Sequence, residues 1–309
     1  LSGINQMDSF SEIVIKLARY GINKKVAGNI YKVYHGDSLK KLEEDPYQAL
    51  GEVRGFGFKT ADNMGHALGI ELNDPRRVRG ALLSILQTAL NTLGDTYVAL
   101  DELLTQAYDL VQSTSYDELA NSVNELQRQG KVVVSGDKAA LQTIFQTELD
   151  IATELKHVVN NQVEKEEFDD SDIEKAIKHV EETLEIEYDD TQKNAIKNAL
   201  NNPISILTGG PGTGKTTIIN GILMCLKELA EIPSAALYSD DPPFLLAAPT
   251  GRAAKRMSEV TDISAKTIHR LLGLGIGENE ATDVNELNGE ILIIDEMSMV
   301  DMFLFKQLL

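Results

Sequence analysis

Cysteine is almost absent. Cys225 is the one thiol in 309 residues, so no disulfide can form within the chain. A chain of this length can bury a sizeable core without one, and a reducing, cytoplasmic setting is the expectation. Long apolar runs are missing too. None approaches the ~20 residues that cross a bilayer, and no charged-then-apolar leader pattern opens the sequence, so no membrane partner is expected. Positive charge is in deficit: 29 Lys and Arg stand against 48 Asp and Glu, a formal net charge of −19. This balance argues against diffuse attraction to a polyanion. No carboxylate cluster of the kind a nuclease uses is recognisable.

What is present is ordinary in bulk and uneven in detail. The chain is 42% hydrophobic and 25% charged, as in globular proteins, and long enough for two or three domains. Between Asn161 and Asp190 there are thirteen acids against three lysines, so just over half the net charge sits in one stretch, read as a solvated connector. From Leu1 to Leu72, nine acids balance nine bases, which leaves room for a local binding face. Cys225 lies on the apolar face of a helical pattern and reads as a small core residue.

The most informative stretch is Gly209-Gly210-Pro211-Gly212-Thr213-Gly214-Lys215-Thr216, a full G-x-x-x-x-G-K-[ST] phosphate loop. The apolar run Ile204 to Leu207 precedes it as a predicted buried strand. Thr217 to Leu229 follows at helical spacing. Strand, glycine loop and helix together aim backbone N–H groups and a helix N-terminus at a polyphosphate. The glycines let the backbone approach phosphate oxygens, Lys215 supplies a compact cation, and Thr216 offers a hydroxyl to Mg²⁺. The expected nucleotide contacts are Gly210, Pro211, Gly212, Thr213, Gly214, Lys215, Thr216 and Thr217. A second signal is Ile291-Leu292-Ile293-Ile294-Asp295-Glu296, a predicted strand ending in two carboxylates. It is expected beside the loop-bearing strand, with Asp295 near Mg²⁺ and Glu296 as general base for an attacking water. Upstream, Gln192 can make paired hydrogen bonds to an adenine edge, which favours ATP over GTP.

The N-terminal region repeats itself. Gly21-Ile22-Asn23-Lys24-Lys25-Val26-Ala27 aligns with Gly55-Phe56-Gly57-Phe58-Lys59-Thr60-Ala61 at an offset of 34 residues. This resembles the helix-hairpin-helix family, whose hairpin reads Gly-h-Gly-x-x-x-Ala. Asn23 replaces the middle glycine of the first copy, and Asn tolerates left-handed backbone next best. In such hairpins the N–H groups near Gly21, Gly55 and Gly57 can meet a DNA phosphate, with Lys24, Lys25 and Lys59 adding charge. A purely protein-facing packing module is the alternative, since its fold needs the same glycines.

Beyond Asp74-Pro75 come three helical patterns, Val78 to Leu93, Leu100 to Val111 and Tyr116 to Arg128. A predicted hairpin follows, from Lys131 to Val134 and from Ala140 to Phe145. The set resembles a winged helix. Its recognition-type helix, Ser115 to Arg128, carries Asp117, Glu118 and Glu125 with Arg128 as sole base, a poor major-groove reader. Leu149 to Val159 and Ile173 to Leu184 are also predicted helices.

Two further segments discriminate among phosphate-loop proteins. Ala247-Ala248-Pro249-Thr250-Gly251-Arg252 follows the apolar run from Phe244 to Leu246, and offers a hydroxyl, amides and bases to a nucleic-acid strand. Thr267-Ile268-His269-Arg270-Leu271-Leu272 comes next. With Gln192, the phosphate loop and Asp295-Glu296, these segments resemble motifs Q, I, Ia, Ib and II of superfamily 1 helicases. The resemblance is to the RecD-like branch, the alpha subunit of exodeoxyribonuclease V and its stand-alone relatives, which carry helix-hairpin-helix repeats ahead of the motor.

The resemblance implies an ATP- and Mg²⁺-dependent motor that moves 5′ to 3′ on single-stranded DNA and unwinds duplex ends in recombination and repair, with repair proteins as candidate partners. Membership of a nuclease complex stays open. Lys215, Asp295 and Glu296 would be catalytic, with Thr216 and Asp295 on the metal. Thr250, Gly251, Arg252 and His269 would face DNA. His269 is equally well read as an ordinary helix residue. Met297, Met299 and Met302 read as core contacts.

The expected fold is multidomain. Residues 1–73 form tandem helix-hairpin-helix elements, 74–160 a winged-helix-like region, and 161–187 an acidic helical connector. Residues 188–309 form an α/β, RecA-like P-loop domain with a mainly parallel sheet, built on strands Ile204 to Leu207, Phe244 to Ala247 and Ile291 to Ile294. Ser239 to Pro243 and Ile276 to Gly289 read as loops. The sequence reads as the front part of a longer protein, without turnover by itself. Two alternatives stay open: a nucleotide-gated DNA-binding switch of clamp-loader or junction-remodelling type, and a non-catalytic DNA-binding or docking role for residues 1 to about 150.

Overall fold

The computed structural model describes residues 2–160, 168–210, 212–239, 241–274 and 286–309, the side chains of 2–9 excepted. Pro211, part of the acidic stretch (161–167) and most of the predicted loop after Leu274 (275–285) lie outside the described residues. The chain divides into two compact units, Leu1–Gln146 and Thr147–Leu309.

In the first unit, α1 (Ser2–Ala18) and α2 (Lys24–Tyr34) make one hairpin. α3 (Ser38–Glu44), a 3-10 turn at Pro46–Ala49, and α4 (Phe58–Ala67) lead into and out of the second. The 34-residue repeat is visible in the backbone: Gly21 has φ +77° and Gly55 has φ +83°, a conformation that suits glycine. Two residues on, however, Asn23 (φ −73°) and Gly57 (φ −97°) are extended. Tolerance of left-handed backbone is therefore not why Asn23 stands there. It is the N-cap of α2, and its side chain accepts from Val26 N at 3.0 Å. Ile22 and Phe56, and Ala27 and Ala61, are buried as equivalent pairs in one core. The two hairpins are tied by Asn29 Nδ2, which donates to Arg54 O at 2.8 Å.

α5 (Pro75–Thr88) starts on an Asp74 cap with Pro75 in its first turn, the position where a missing N–H costs least. It runs into a π-helical turn, Ala89–Leu93, which Gly94 closes at φ +77°. β1 (Val98–Ala99), α6 (Leu100–Val111), α7 (Tyr116–Arg128), β2 (Val132–Ser135) and β3 (Lys138–Leu141) complete a winged-helix arrangement. The antiparallel sheet has the order β1-β3-β2. α7 opens on a Ser115–Glu118 capping box. The second wing strand is shorter than the sequence suggested. Thr143 to Phe145 belong to α8 (Gln142–Asn160), because Ile144 and Thr147 are buried three residues apart, the helical spacing.

In the second unit, α9 (Asp170–Leu184), α10 (Asp190–Asn201) and α11 (Lys215–Leu229) pack together. β4 (Phe244–Ala248), α12 (Gly251–Thr261), β5 (Ala265–Thr267), α13 (Ile268–Leu271), β6 (Ile291–Ile294) and α14 (Met302–Leu308) follow. The sheet is parallel, in the order β5-β4-β6. Ile218, Ile219, Ile222 and Leu226 of α11 share a core with Phe244, Leu246, Ile291 and Ile293 of the sheet. Each such buried aliphatic contributes on the order of 2 kcal/mol. Cys225 is fully buried there as expected, and burial pushes its thiol up to about 12.

Two expectations fail in this sheet. Ile204 to Leu207 is not a strand: Leu207 packs on the core, Ile206 is 82% exposed, and no described strand bonds to the run. Apolar composition favours a strand, but only a ladder partner makes one. Accordingly the neighbour of β6 among the described strands is β4, not the loop-bearing segment. Met299 is also no core contact, since it is 61% exposed in a 3-10 turn, Met297–Met299.

Candidate nucleotide and nucleic-acid site

The phosphate loop holds itself in shape. Gly212 (φ +77°) and Gly214 (φ +81°) take left-handed backbone. Thr213 Oγ1 donates to Gly210 O at 2.9 Å, and a Cβ on Gly209 would lie 2.6 Å from that hydroxyl. Lys215 Nζ donates to Gly209 O (2.7 Å) and Gly210 O (2.8 Å), so its charge is held over the loop by neutral carbonyls. Gly214 precedes α11 without a side-chain cap, and the first N–H groups of the helix are free of one. Uncapped donors, a poised ammonium and open space beside Gly212 suit a polyphosphate. Thr216, partly exposed in the first turn, is the hydroxyl available to Mg²⁺.

Gln192 is locked to this loop. It is the third helical residue of a capping box: Gln192 N donates to Asp189 Oδ1 (2.8 Å) and Asp189 N donates to Gln192 Oε1 (3.0 Å). Its Nε2 donates to Thr213 O at 3.4 Å. One N–H and one lone pair of the amide remain, the pair of groups an adenine edge requires.

The parallel sheet gathers the other candidates. Ala248 pairs with Thr267, and Ala247 with Ile294, so the C-terminal ends of β4, β5 and β6 are level. Thr250-Gly251-Arg252, His269 and Asp295-Glu296 therefore all leave the same sheet edge, where open α/β sheets bind ligands. Thr250 caps α12, accepting from Ala253 N at 3.2 Å, so its hydroxyl has a structural duty as well. Arg252 and His269 are exposed. Asp295 N donates to Ala247 O (3.0 Å), extending the ladder one residue. Glu296 then takes φ +54°, a left-handed backbone that costs a non-glycine residue about 1 kcal/mol and is concentrated at functional turns. On the first unit, Gly21, Gly55, Gly57 and Lys59 are exposed at the hairpins.

Sequence reasoning missed Tyr188 and Gly221. The available signal was a glycine in the middle of the apolar α11 pattern, where it weakens the helix unless something needs the space. Here Tyr188 needs it, because a Cβ on Gly221 would lie 2.5 Å from the tyrosine oxygen.

Fold and sequence together define a chain in which helix-hairpin-helix and winged-helix elements precede an α/β portion carrying a P-loop. The family described as AAA domain matches residues 192–309, and the ATP-dependent RecD2 DNA helicase HHH domain matches 6–97. The ATP-dependent RecD2 DNA helicase of Deinococcus radiodurans is 28% identical over all of this chain and 42% of its own length. The RecBCD enzyme subunit RecD of Mycobacterium tuberculosis is 37% identical over 38% of the chain and 23% of its own length. The corresponding subunit of Haemophilus influenzae is 35% identical over 39% and 21%. The chain is similar to RecD-like helicases in both its hairpin and its P-loop portions, and it spans less than half the length of these relatives.

Proposed function

We propose that the full-length protein carrying this chain is an ATP-dependent DNA helicase of recombination and repair, tracking 5′ to 3′ on single-stranded DNA. The observation that supports the reading is the level sheet edge, from which the Asp295-Glu296 pair and the Thr250-Gly251-Arg252 turn leave on adjacent strands. Gln192 reads adenine, and the loop from Gly210 to Thr217, including Pro211, wraps the phosphates. Lys215 neutralises the β- and γ-phosphates as charge shifts to the leaving group. Mg²⁺, when bound by Thr216 and Asp295, supplies further neutralisation at those oxygens. Glu296 orients and deprotonates the attacking water. Thr250, Gly251, Arg252 and His269 contact the tracked strand. Gly21, Gly55, Gly57 and Lys59 hold DNA phosphates without reading sequence.

In this reading residues 1–73 grip DNA, 74–160 form the winged-helix-like region, 161–187 are a connector, and 188–309 are the front of the motor. These 309 residues alone neither turn over ATP efficiently nor unwind DNA. Single-stranded DNA and duplex ends are the substrates, and repair proteins are candidate partners. No helix among the described residues is long and apolar enough to cross a membrane. A cytoplasmic location accompanies the reading. The test is unwinding by the full-length protein: 5′-tailed duplexes should open and 3′-tailed ones should not. Equal opening of both would refute the polarity, and no ATP-dependent opening of either would refute the motor.

A further inference from the structure

We propose that Tyr188 is a positioning residue for nucleotide selection, setting the helix that carries Gln192 in register with the helix that follows the phosphate loop. This rests on the nucleotide reading above.

The contacts form a two-point clamp. Tyr188 is 3% exposed, and its hydroxyl donates to Thr217 O of α11 at 3.2 Å. Four residues later, Gln192 Nε2 donates to Thr213 O, four residues earlier on the loop side. The two ties therefore run antiparallel, one to the loop and one to the first turn of the helix behind it. The ring enters a hole that only a glycine leaves open. A Cβ on Gly221 would lie 2.5 Å from Tyr188 Oη, 3.0 Å from its Cζ and 3.1 Å from Ile196 Cδ1 of α10.

Behind the ring, Tyr188 N donates to Glu181 Oε1 of α9 at 2.7 Å, and that carboxylate also pairs with Lys193 Nζ at 3.0 Å. Tyr188 directly precedes Asp189, which caps α10 and holds Gln192. Loss of the hydroxyl tie would let the base-reading amide drift relative to the phosphate loop while the apolar hole stays filled. A residue that merely packs would change stability without changing which base is preferred.

The experiment uses the full-length protein, unaltered and as Tyr188→Phe, with ATP and GTP as Mg²⁺ complexes. Equilibrium affinities and DNA-stimulated kcat and KM are measured for both nucleotides. The expected result is that Tyr188→Phe cuts the preference for ATP over GTP about fivefold, the scale of one hydrogen bond. It should raise KM for ATP more than it lowers kcat. Lys215→Ala, by contrast, should weaken both nucleotides alike. An unchanged preference in folded Tyr188→Phe overturns the role of Tyr188 and leaves the nucleotide reading intact. No nucleotide binding, or no base preference, in the unaltered protein overturns both. Should Tyr188→Phe fail to fold, Glu181→Ala, which removes the acceptor of Tyr188 N from outside the hole, must lower the preference in the same direction, and an unchanged preference there is equally fatal.

Discussion

Arg77 and Asp62 show how much one buried pair can organise. Arg77 Nε and Nη2 donate to Asp62 Oδ1 (2.7 Å) and Oδ2 (3.1 Å), and Tyr47 Oη donates to Oδ1 at 2.8 Å. Arg77 Nη1 also donates to Leu72 O and Val111 O, so one guanidinium joins the hairpin core to the winged-helix core. Burial alone would raise the Asp62 carboxyl. The bonds from Arg77 and Tyr47 and the Arg77 charge outweigh it, and the group lies below its ordinary 3.8. A depressed carboxylate stabilises the fold fully above its unfolded value, and that contribution is lost as pH falls through the lower native one. Arg77→Met should therefore cost roughly 3 kcal/mol near neutral pH by denaturant titration, as expected when a buried charge loses its partner. Asp62→Asn should flatten the loss of stability as pH falls below the ordinary carboxylate value of 3.8. A further residue-scale prediction concerns turnover. Glu296→Gln in the full-length protein should lower kcat at least ~100-fold while nucleotide affinity stays within about threefold, because the base acts on water and not on phosphate binding. Equal losses of both would place Glu296 in binding instead.

Caps and edges decide matters at the scale of the element. Asn23 starts α2 by accepting from Val26 N, so Asn23→Ala should lower the stability of residues 1–146 by about 1 kcal/mol and Asn23→Gly by only a few tenths. The glycine at the same place in the second hairpin, Gly57, explains why the second change is mild. If both cost the same, the side-chain cap contributes nothing. Thr250 has a comparable duty at α12. The run Ile204 to Leu207 gives the opposite lesson: three of its four residues are apolar, yet without a described partner it stays outside the ladder.

As a whole molecule, the chain is two units with separate cores. Residues 1–146 contain complete hairpin and winged-helix clusters and should fold alone with one cooperative transition, checked by coincident thermal curves from two probes. That unit should bind forked or single-stranded DNA with an affinity that falls as salt rises, since contacts to phosphate release counterions. Salt-independent binding, or none, would favour the packing reading of the hairpins. Because α6 and α7 are acidic, relieved by Arg128 alone, the expected outcome is that substitutions at the hairpins, and not on the recognition-type helix, weaken this binding.

By itself the sequence determined the motifs and the local forms. The loop from Gly209 to Thr216, the Asp295-Glu296 pair, the hairpin repeat and most helices are written in residues a few positions apart, and short-range sterics, caps and side-chain periodicity act over that distance. Only tertiary structure decided which strands are neighbours, that Thr250, His269 and Asp295 share an edge, and that Gly221 makes room for Tyr188. Those outcomes depend on hydrogen bonds and excluded volume between segments tens of residues apart, and no local pattern records which distant partner will fill a given hole or ladder.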